Sequence, residues 1–346
     1  MPYETGLSYD DVLLVPQRSP VDSRKDVDLS TRLADGVELD VPVTAAAMDT
    51  VTEASMAAAV AEAGGLGVIH RFLPAEEQAA MVREVVAEGL PVAGAVGIAE
   101  DYVDRAAALT EAGACMLVVD VAHGHMERTL SATETLAERF PDTPVCAGNV
   151  VTREAVADLA AAGADCVKVG VGPGSHCTTR EVTGFGVPQF TAVERCAAAA
   201  DEHGVTTIAD GGIQSSGDAV KALLAGADAV MMGGFFAGCE EAPGEVIEID
   251  GERYKRSRGM STAAAAEDRD DKAADVDADE GVAAPRERRV HGGPGDDEAP
   301  QRRPRIRPTG VREQAGREGP PGVDHYTPRR PSPRRPARIA LFTSSN

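Results

Sequence analysis

Gly170 to Arg180 reads GVGPGSHCTTR, and one cysteine, Cys177, stands at the end of this glycine-rich turn with two threonines directly after it. A thiol in so polar a setting is placed to attack an electrophilic carbon, because the thiolate is the reactive form and a turn of this kind exposes it. Gly170, Gly172 and Gly174 are expected to take positive φ and bring backbone close to a ligand, and Ser175 adds a hydroxyl suited to a phosphate oxygen. The other cysteines, Cys115, Cys146, Cys166, Cys196 and Cys239, form no CxxC pair and no zinc-like spacing, which fits a reduced chain. His123 and His125 lie two apart without a carboxylate at a ligand-like spacing, so a role other than metal binding is expected.

The elements that must hold these residues follow from the pattern. From about residue 41, short apolar runs alternate with alanine-rich helical stretches such as 75–88 and 153–162, the signature of βα units. Eight strands are predicted at 41–47, 67–70, 92–96, 116–121, 145–149, 166–169, 206–209 and 229–232. They read as continuous apolar runs, as strands buried on both faces do. The expected fold is an α/β (β/α)8 TIM barrel over residues 1–282, with a doubly wound open sheet as the competing topology. In a barrel, chemistry belongs to the loops at the carboxyl ends of the strands. Asp49, Asp120, His123, Asn149, Cys177, Asp210 with Gly211 and Gly212, and Gly233 with Gly234 all fall there. The glycine pairs after the last two strands are suited to a phosphate, cradled by backbone N–H groups and a helix amino terminus.

Composition narrows the class of function. The chain of 346 residues carries a formal charge of −22, and residues 283–346 hold 14 arginines against 7 acids, so the body before them stands at −29. Only five lysines occur in the whole chain. A body this acidic is a poor nucleic-acid binder, and it is expected to work in a salt-rich, halophilic cytoplasm that screens its self-repulsion. No apolar run approaches the ~20 residues of a membrane span, and the start shows no basic region followed by an apolar one. A soluble, cytoplasmic chain with no membrane partner is therefore expected.

With Cys177, Asp120, Asp210 and the glycine pairs in place, the chain resembles the IMP dehydrogenase and GMP reductase family. The resemblance rests on LSYDDVLLVP from Leu7, then TAAAMDTVTE, GGLGVIHR, VVDVAHGH, AGNV, GPGSHCTTR, GVPQ, ADGGI, EEAPGE and RGM at Arg258. It implies a barrel that binds a purine nucleoside monophosphate and a nicotinamide dinucleotide, NADPH or NAD, and is usually a homotetramer. By matching positions, Cys177 would be the nucleophile that adds to purine C2, and hydride would move between C2 and the nicotinamide. Ser175, Gly212, Gly233 and Gly234 would contact phosphate, Asp210 the ribose hydroxyls, and Met260 and Ser261 the base. Asp120, Asn149 and Gly170 would face the cofactor. Backbone carbonyls of Gly172, Gly174 and Cys177 would line the monovalent-cation site, for potassium, found in the dehydrogenases.

Which reaction follows is a separate matter. Family dehydrogenases activate water with an Arg-Tyr pair on a mobile flap, whereas here Arg269 is followed by Asp270 and no tyrosine occurs from Gly259 to Glu280. Thr179 and Glu280 match the Thr-Glu pair with which the reductases help to expel ammonia. The regulatory insert of most dehydrogenases is missing after Arg71. GVPQ, AHGH and EEAPGE read more like bacterial-type dehydrogenases. Because the flap touches the step that differs chemically, the sequence leans toward GMP reduction, with IMP oxidation as the alternative.

After residue 282 the character changes: 11 of the 22 prolines and no lysine fall in 283–346, without apolar periodicity. This tail is expected to be disordered. It reads either as an arginine-rich arm or, preferably, as an out-of-frame translation of a GC-rich gene. It replaces the closing helices on which the family's tetramer depends, so an inactive nucleotide-binding product is a further alternative.

Overall fold

The computed structural model describes residues 5–175, 177, 179–250 and 252–260 and the backbone of two further short strands. In chain order the elements are β1 (Val12–Leu14), β2 (Thr31–Ala34), β3 (Val37–Leu39), β4 (Val43–Ala45), α1 (Ala54–Glu62), β5 (Leu66–Ile69) and α2 (Ala75–Ala87). Then come β6 (Val92–Val96), α3 (Tyr102–Glu111), β7 (Met116–Asp120), α4 (Glu127–Arg139), β8 (Val145–Val150), α5 (Arg153–Ala161) and β9 (Cys166–Val169). They are followed by α6 (Thr179–Thr183), α7 (Gln189–His203), β10 (Thr206–Asp210), α8 (Ser216–Leu224), β11 (Ala229–Met232), β12 (Val246–Ile249) and β13 (Glu252–Ser257). Strands β14 (Arg286–Arg289) and β15 (Asp324–Tyr326) complete the set; β14 pairs with β13 and β15 with β1. The rest of the arginine-rich tail lies outside the described residues.

Strands β4 to β11 form one closed parallel barrel, sealed where β11 pairs with β4. The open doubly wound sheet is thereby excluded. Side chains alternate across each strand. Leu66, Val68, Met116, Val118, Cys166 and Ile208 point into one buried cluster inside the barrel. Their neighbours Ile69, Leu117, Val119, Val167 and Val169 join a second cluster against the surrounding helices. Every strand from β5 to β9 is thus buried on both faces apart from its carboxyl end, which explains the unbroken apolar runs in the sequence.

The base of the barrel is closed by a feature that the sequence reading did not contain. Strands β2 and β3 form a hairpin whose Leu33, Ala34, Val37 and Leu39 join the interior cluster. Thr206 at the start of β10 donates its hydroxyl to the carbonyl of Leu33. With the amino-terminal end plugged, the interior opens only at the carboxyl ends of the strands. A second hairpin, β12–β13, follows the last barrel strand and is anchored by Lys255, which is buried and donates to the carbonyls of Glu240 and Ala242. Burial lowers the pKa of this lysine. Among the described residues no helix is long and apolar enough to cross a membrane.

Candidate active site

The inward-facing parity continues to the open rim, and there it changes chemistry. One step beyond the apolar interior, the positions that face inward are Asp120 on β7, Gly148 on β8, Lys168 on β9 and Asp210 on β10. Lys168 is 1% exposed, and a buried ammonium persists only when paired. Its Nζ lies 2.8 Å from Asp120 Oδ1 and 2.7 Å from Asp210 Oδ2, and it also donates to Asn149 Oδ1. Burial alone would lower its pKa, but the two carboxylates outweigh that and raise it above the ordinary lysine range. The neighbouring strand makes room for it: a Cβ on Gly148 would stand 2.5 Å from Lys168 Cβ, so only glycine fits.

Asn149 is turned into the same network by an irregularity in β8, where the register with β9 shifts between Gly148 and Val150. Its Nδ2 donates to the Gly170 carbonyl at 2.8 Å and to Asp210 Oδ2 at 2.9 Å. Four of the expected site residues, Asp120, Asn149, Gly170 and Asp210, are therefore joined in one cluster centred on Lys168. Gln189 at the start of α7 adds a support: it is 2% exposed and donates to the carbonyls of Val169 and Asp210.

Cys177 lies in the loop between β9 and α6. Its backbone N–H donates to the Gly174 carbonyl at 3.0 Å, and its Sγ is 3.0 Å from Thr179 Oγ1. Arg180 ties the loop shut, donating from Nε to Val171 O at 3.3 Å and from Nη2 to Val187 O at 2.6 Å. Burial lowers the pKa of this guanidinium and the nearby Cys177 sulfur opposes the shift, so a positive charge stands close to the thiol. Gly172 has φ +73, and a Cβ there would meet Arg180 Cγ at 2.6 Å. Gly170 also takes positive φ, but Gly174 does not; the expectation for that third glycine is corrected, since its carbonyl instead accepts from Cys177.

The Cys177 loop rests on the glycines after β10. Gly211 and Gly212 have φ +88 and +78, and a Cβ on Gly211 would stand 3.1 Å from Gly174 N. Ser175 thus lies on the loop packed against Gly211 and Gly212. Gly233 and Gly234 follow β11, whose Met231 is in register with Asp210, so they stand on the next strand of the same rim. Met260 ends the segment leaving β13 and lies in a turn. The expected contacts Ser261 and Glu280 lie outside the described residues. Among the described residues no group of three or more His, Cys, Asp or Glu side chains could hold a metal ion, and His125 pairs with Asp158 at 2.8 Å.

Three features of this site were not assigned from the sequence: Lys168, Gln189 and the bonding of Asp49, itself expected at the rim, to Arg258. Lys168 carried a readable signal, a charge inside a strand expected to be buried on both faces. Arg258 binds Asp49 across 209 positions of sequence, with Nε 2.9 Å and Nη2 2.5 Å from Oδ2. No local pattern announces such a pair.

Residues 6–291 match the model of the IMP dehydrogenase / GMP reductase domain. Curated relatives include the inosine-5'-monophosphate dehydrogenases of Nitrosopumilus maritimus, 34% identical over 77% of this chain and 82% of that protein, and of Aquifex aeolicus, 37% identical over 75% and 79%. The enzyme of that name from Borreliella burgdorferi is 37% identical over 75% and 76%. The match with the first spans 389 positions, more than this whole chain of 346 residues contains, so the relative carries a long stretch that has no counterpart here. A barrel rim that gathers a thiol, paired carboxylates and glycine turns, together with these matches, means that the chain belongs to the IMP dehydrogenase / GMP reductase family and is a purine-nucleotide oxidoreductase.

Proposed function

We propose that the protein is an IMP dehydrogenase, converting IMP, NAD and water to XMP and NADH. What carries this direction is that the inosine-5'-monophosphate dehydrogenases named above are similar across three quarters of the chain, against the sequence's lean toward GMP reduction. That lean relied chiefly on the segment after Met260, which lies outside the described residues, with Thr179 and the missing insert after Arg71 as its other grounds. Thr179 beside the thiol serves either reaction, as a group that can pass a proton to or from the sulfur's neighbourhood.

In this reading the Cys177 thiolate adds to C2 of the purine, C2 loses its hydrogen as hydride, and water then adds to C2 and displaces the thiolate. The covalent adduct divides a hard substitution into two easier steps. NAD supplies the hydride acceptor when bound. The donor set fits such a molecule: Asp120 is acceptor-only and 25% exposed at its side chain, which suits hydroxyl and amide N–H donors. Asp210 takes the ribose hydroxyls of the nucleotide while Lys168 keeps its charge balanced. Ser175, Gly212, Gly233 and Gly234 receive the phosphate, and Met260 flanks the base.

For potassium, the Gly172, Gly174 and Cys177 carbonyls are the ligands. The Gly174 carbonyl already accepts from Cys177 N–H, which leaves one lone pair for a cation. The acidic body supports a salt-rich working environment.

The test is absorbance of reduced nicotinamide in high-salt buffer. A rise with IMP plus NAD, with XMP formed in equal amount, supports the dehydrogenase. A fall with GMP plus NADPH alone, with release of ammonia, establishes the reductase instead.

A further inference from the structure

The turn between β4 and α1 touches both ends of the expected nucleotide site. At one end, a Cβ on Gly233 would stand 2.8 Å from Met48 Sδ, so Met48 packs directly on the glycine expected to hold phosphate. At the other end, Asp49 grips Arg258 through Oδ2, and Thr50 Oγ1 accepts the Arg258 backbone N–H at 3.3 Å. Arg258 lies two residues before Met260, the residue expected along the base. The turn itself is stiff: Met48 N–H donates to Ala46 O, Val51 and Thr52 N–H donate to Met48 O, and Thr52 Oγ1 donates to Ala46 O. Ala46 N–H donates to Met232 O on the neighbouring barrel strand, so the turn is fixed to the barrel wall.

The Asp49 and Arg258 side chains are 12% and 21% exposed, and Asp49 Oδ1 is buried with no hydrogen-bond partner among the described residues. A pair this enclosed is screened little by salt, and its loss leaves a buried charge uncompensated. Nε and Nη2 of the guanidinium converge on one oxygen, so the geometry depends on the planar fork of arginine as well as on its charge.

We infer that the Asp49–Arg258 ion pair is a positioning latch: it holds the chain leaving β13, and with it Met260, at a fixed distance from the phosphate end of the site. It governs how well the nucleotide monophosphate is bound, and neither residue touches the reacting atoms. This rests on the proposed nucleotide site. Its signature is therefore a change in nucleotide affinity with the covalent chemistry preserved.

The experiment measures equilibrium binding of IMP and of GMP by the full-length protein, without cofactor, alongside KM for IMP, KM for NAD and kcat. Asp49→Asn and Arg258→Lys are compared with the unaltered protein, with folding monitored by circular dichroism. The latch predicts at least tenfold weaker IMP binding in Asp49→Asn, a matching rise in KM for IMP, and kcat and KM for NAD within about threefold. Arg258→Lys, which keeps the charge but loses the fork, should fall between the two, and it carries the test should Asp49→Asn fail to fold. Unchanged IMP affinity in a folded variant overturns the latch while leaving the nucleotide site intact. If the unaltered protein binds neither nucleotide, the proposed site fails and the latch with it.

Discussion

Replacing Lys168 by methionine removes the cation shared by the Asp120 and Asp210 carboxylates at the rim of the barrel. Asp120 Oδ1 and Asp210 Oδ2 lie 2.8 and 2.7 Å from Lys168 Nζ, so those oxygens cannot be much more than ~5.5 Å apart. At an effective dielectric of about 20, two unit charges at that separation repel by about 3 kcal/mol. Breaking a buried ion pair by deleting one partner costs roughly 3–5 kcal/mol in measured cases, of which this repulsion is a part. For a barrel of this size that amounts to a fall in Tm of roughly 6–20 °C. The assay is thermal unfolding in high-salt buffer for the unaltered protein, Lys168→Met and Lys168→Met/Asp120→Asn. The double variant removes one of the opposed charges and should recover about half of the loss. IMP affinity should also fall in the single variant, because the Asp210 carboxylate is released from Lys168 and keeps its bond from Asn149, with Gln189 holding only the Asp210 backbone carbonyl. A single variant that melts within about 2 °C of the unaltered protein, or a double variant with no recovery, refutes the reasoning.

Cys177→Ala should lower turnover by at least 10³-fold while leaving IMP affinity within a few-fold, measured by steady-state rates and equilibrium binding. Burial pushes the Cys115 thiol up to about 11 and the Cys196 thiol up to about 12, so at pH 8 fewer than about one in a thousand of either is thiolate. A soft alkylating agent should therefore label Cys177 first, and saturating IMP should slow that labelling. Because these two folded-state values lie above those of the unfolded chain, the stability they contribute is complete below about pH 8.5 and is lost as pH rises through 11 and 12. Thermal unfolding of Cys115→Ala/Cys196→Ala should show a shallower alkaline decline than the unaltered protein. Tyr9→Phe should leave stability unchanged or raise it slightly, since the buried Tyr9 hydroxyl has no hydrogen-bond partner among the described residues; a loss above about 1 kcal/mol in chemical denaturation would contradict this.

The barrel was legible because its strands are short apolar runs with the polar residues gathered at one end. The predicted spans 92–96, 166–169 and 229–232 coincide with β6, β9 and β11, where proline or aspartate before the run and glycine after it bound it sharply. The β2–β3 hairpin escaped because Thr31–Ala34 and Val37–Leu39 are only four and three residues long and each carries a charged residue, Arg32 or Glu38, too short a stretch for periodicity to register. Strands β12 and β13 escaped because β12 exposes Val246 and Glu248 alike and β13 is largely charged, so neither shows an apolar run. Residues of the site at the carboxyl ends of strands, Asp120, Asn149 and Asp210, could be read from position alone. Lys168 could have been read too, since a lysine within CVKV must find an anion inside the barrel. The Asp49–Arg258 pair could not, because it joins the first and last parts of the barrel through folding alone.

Acid-quenching the protein during turnover with IMP and NAD, followed by mass spectrometry of its peptides, tests the covalent route most directly. The expected result is a purine nucleotide attached to the peptide that contains Cys177, absent from Cys177→Ala and absent when NAD is omitted. Steady formation of XMP with no nucleotide on that peptide, or with the adduct on another residue, would contradict the account.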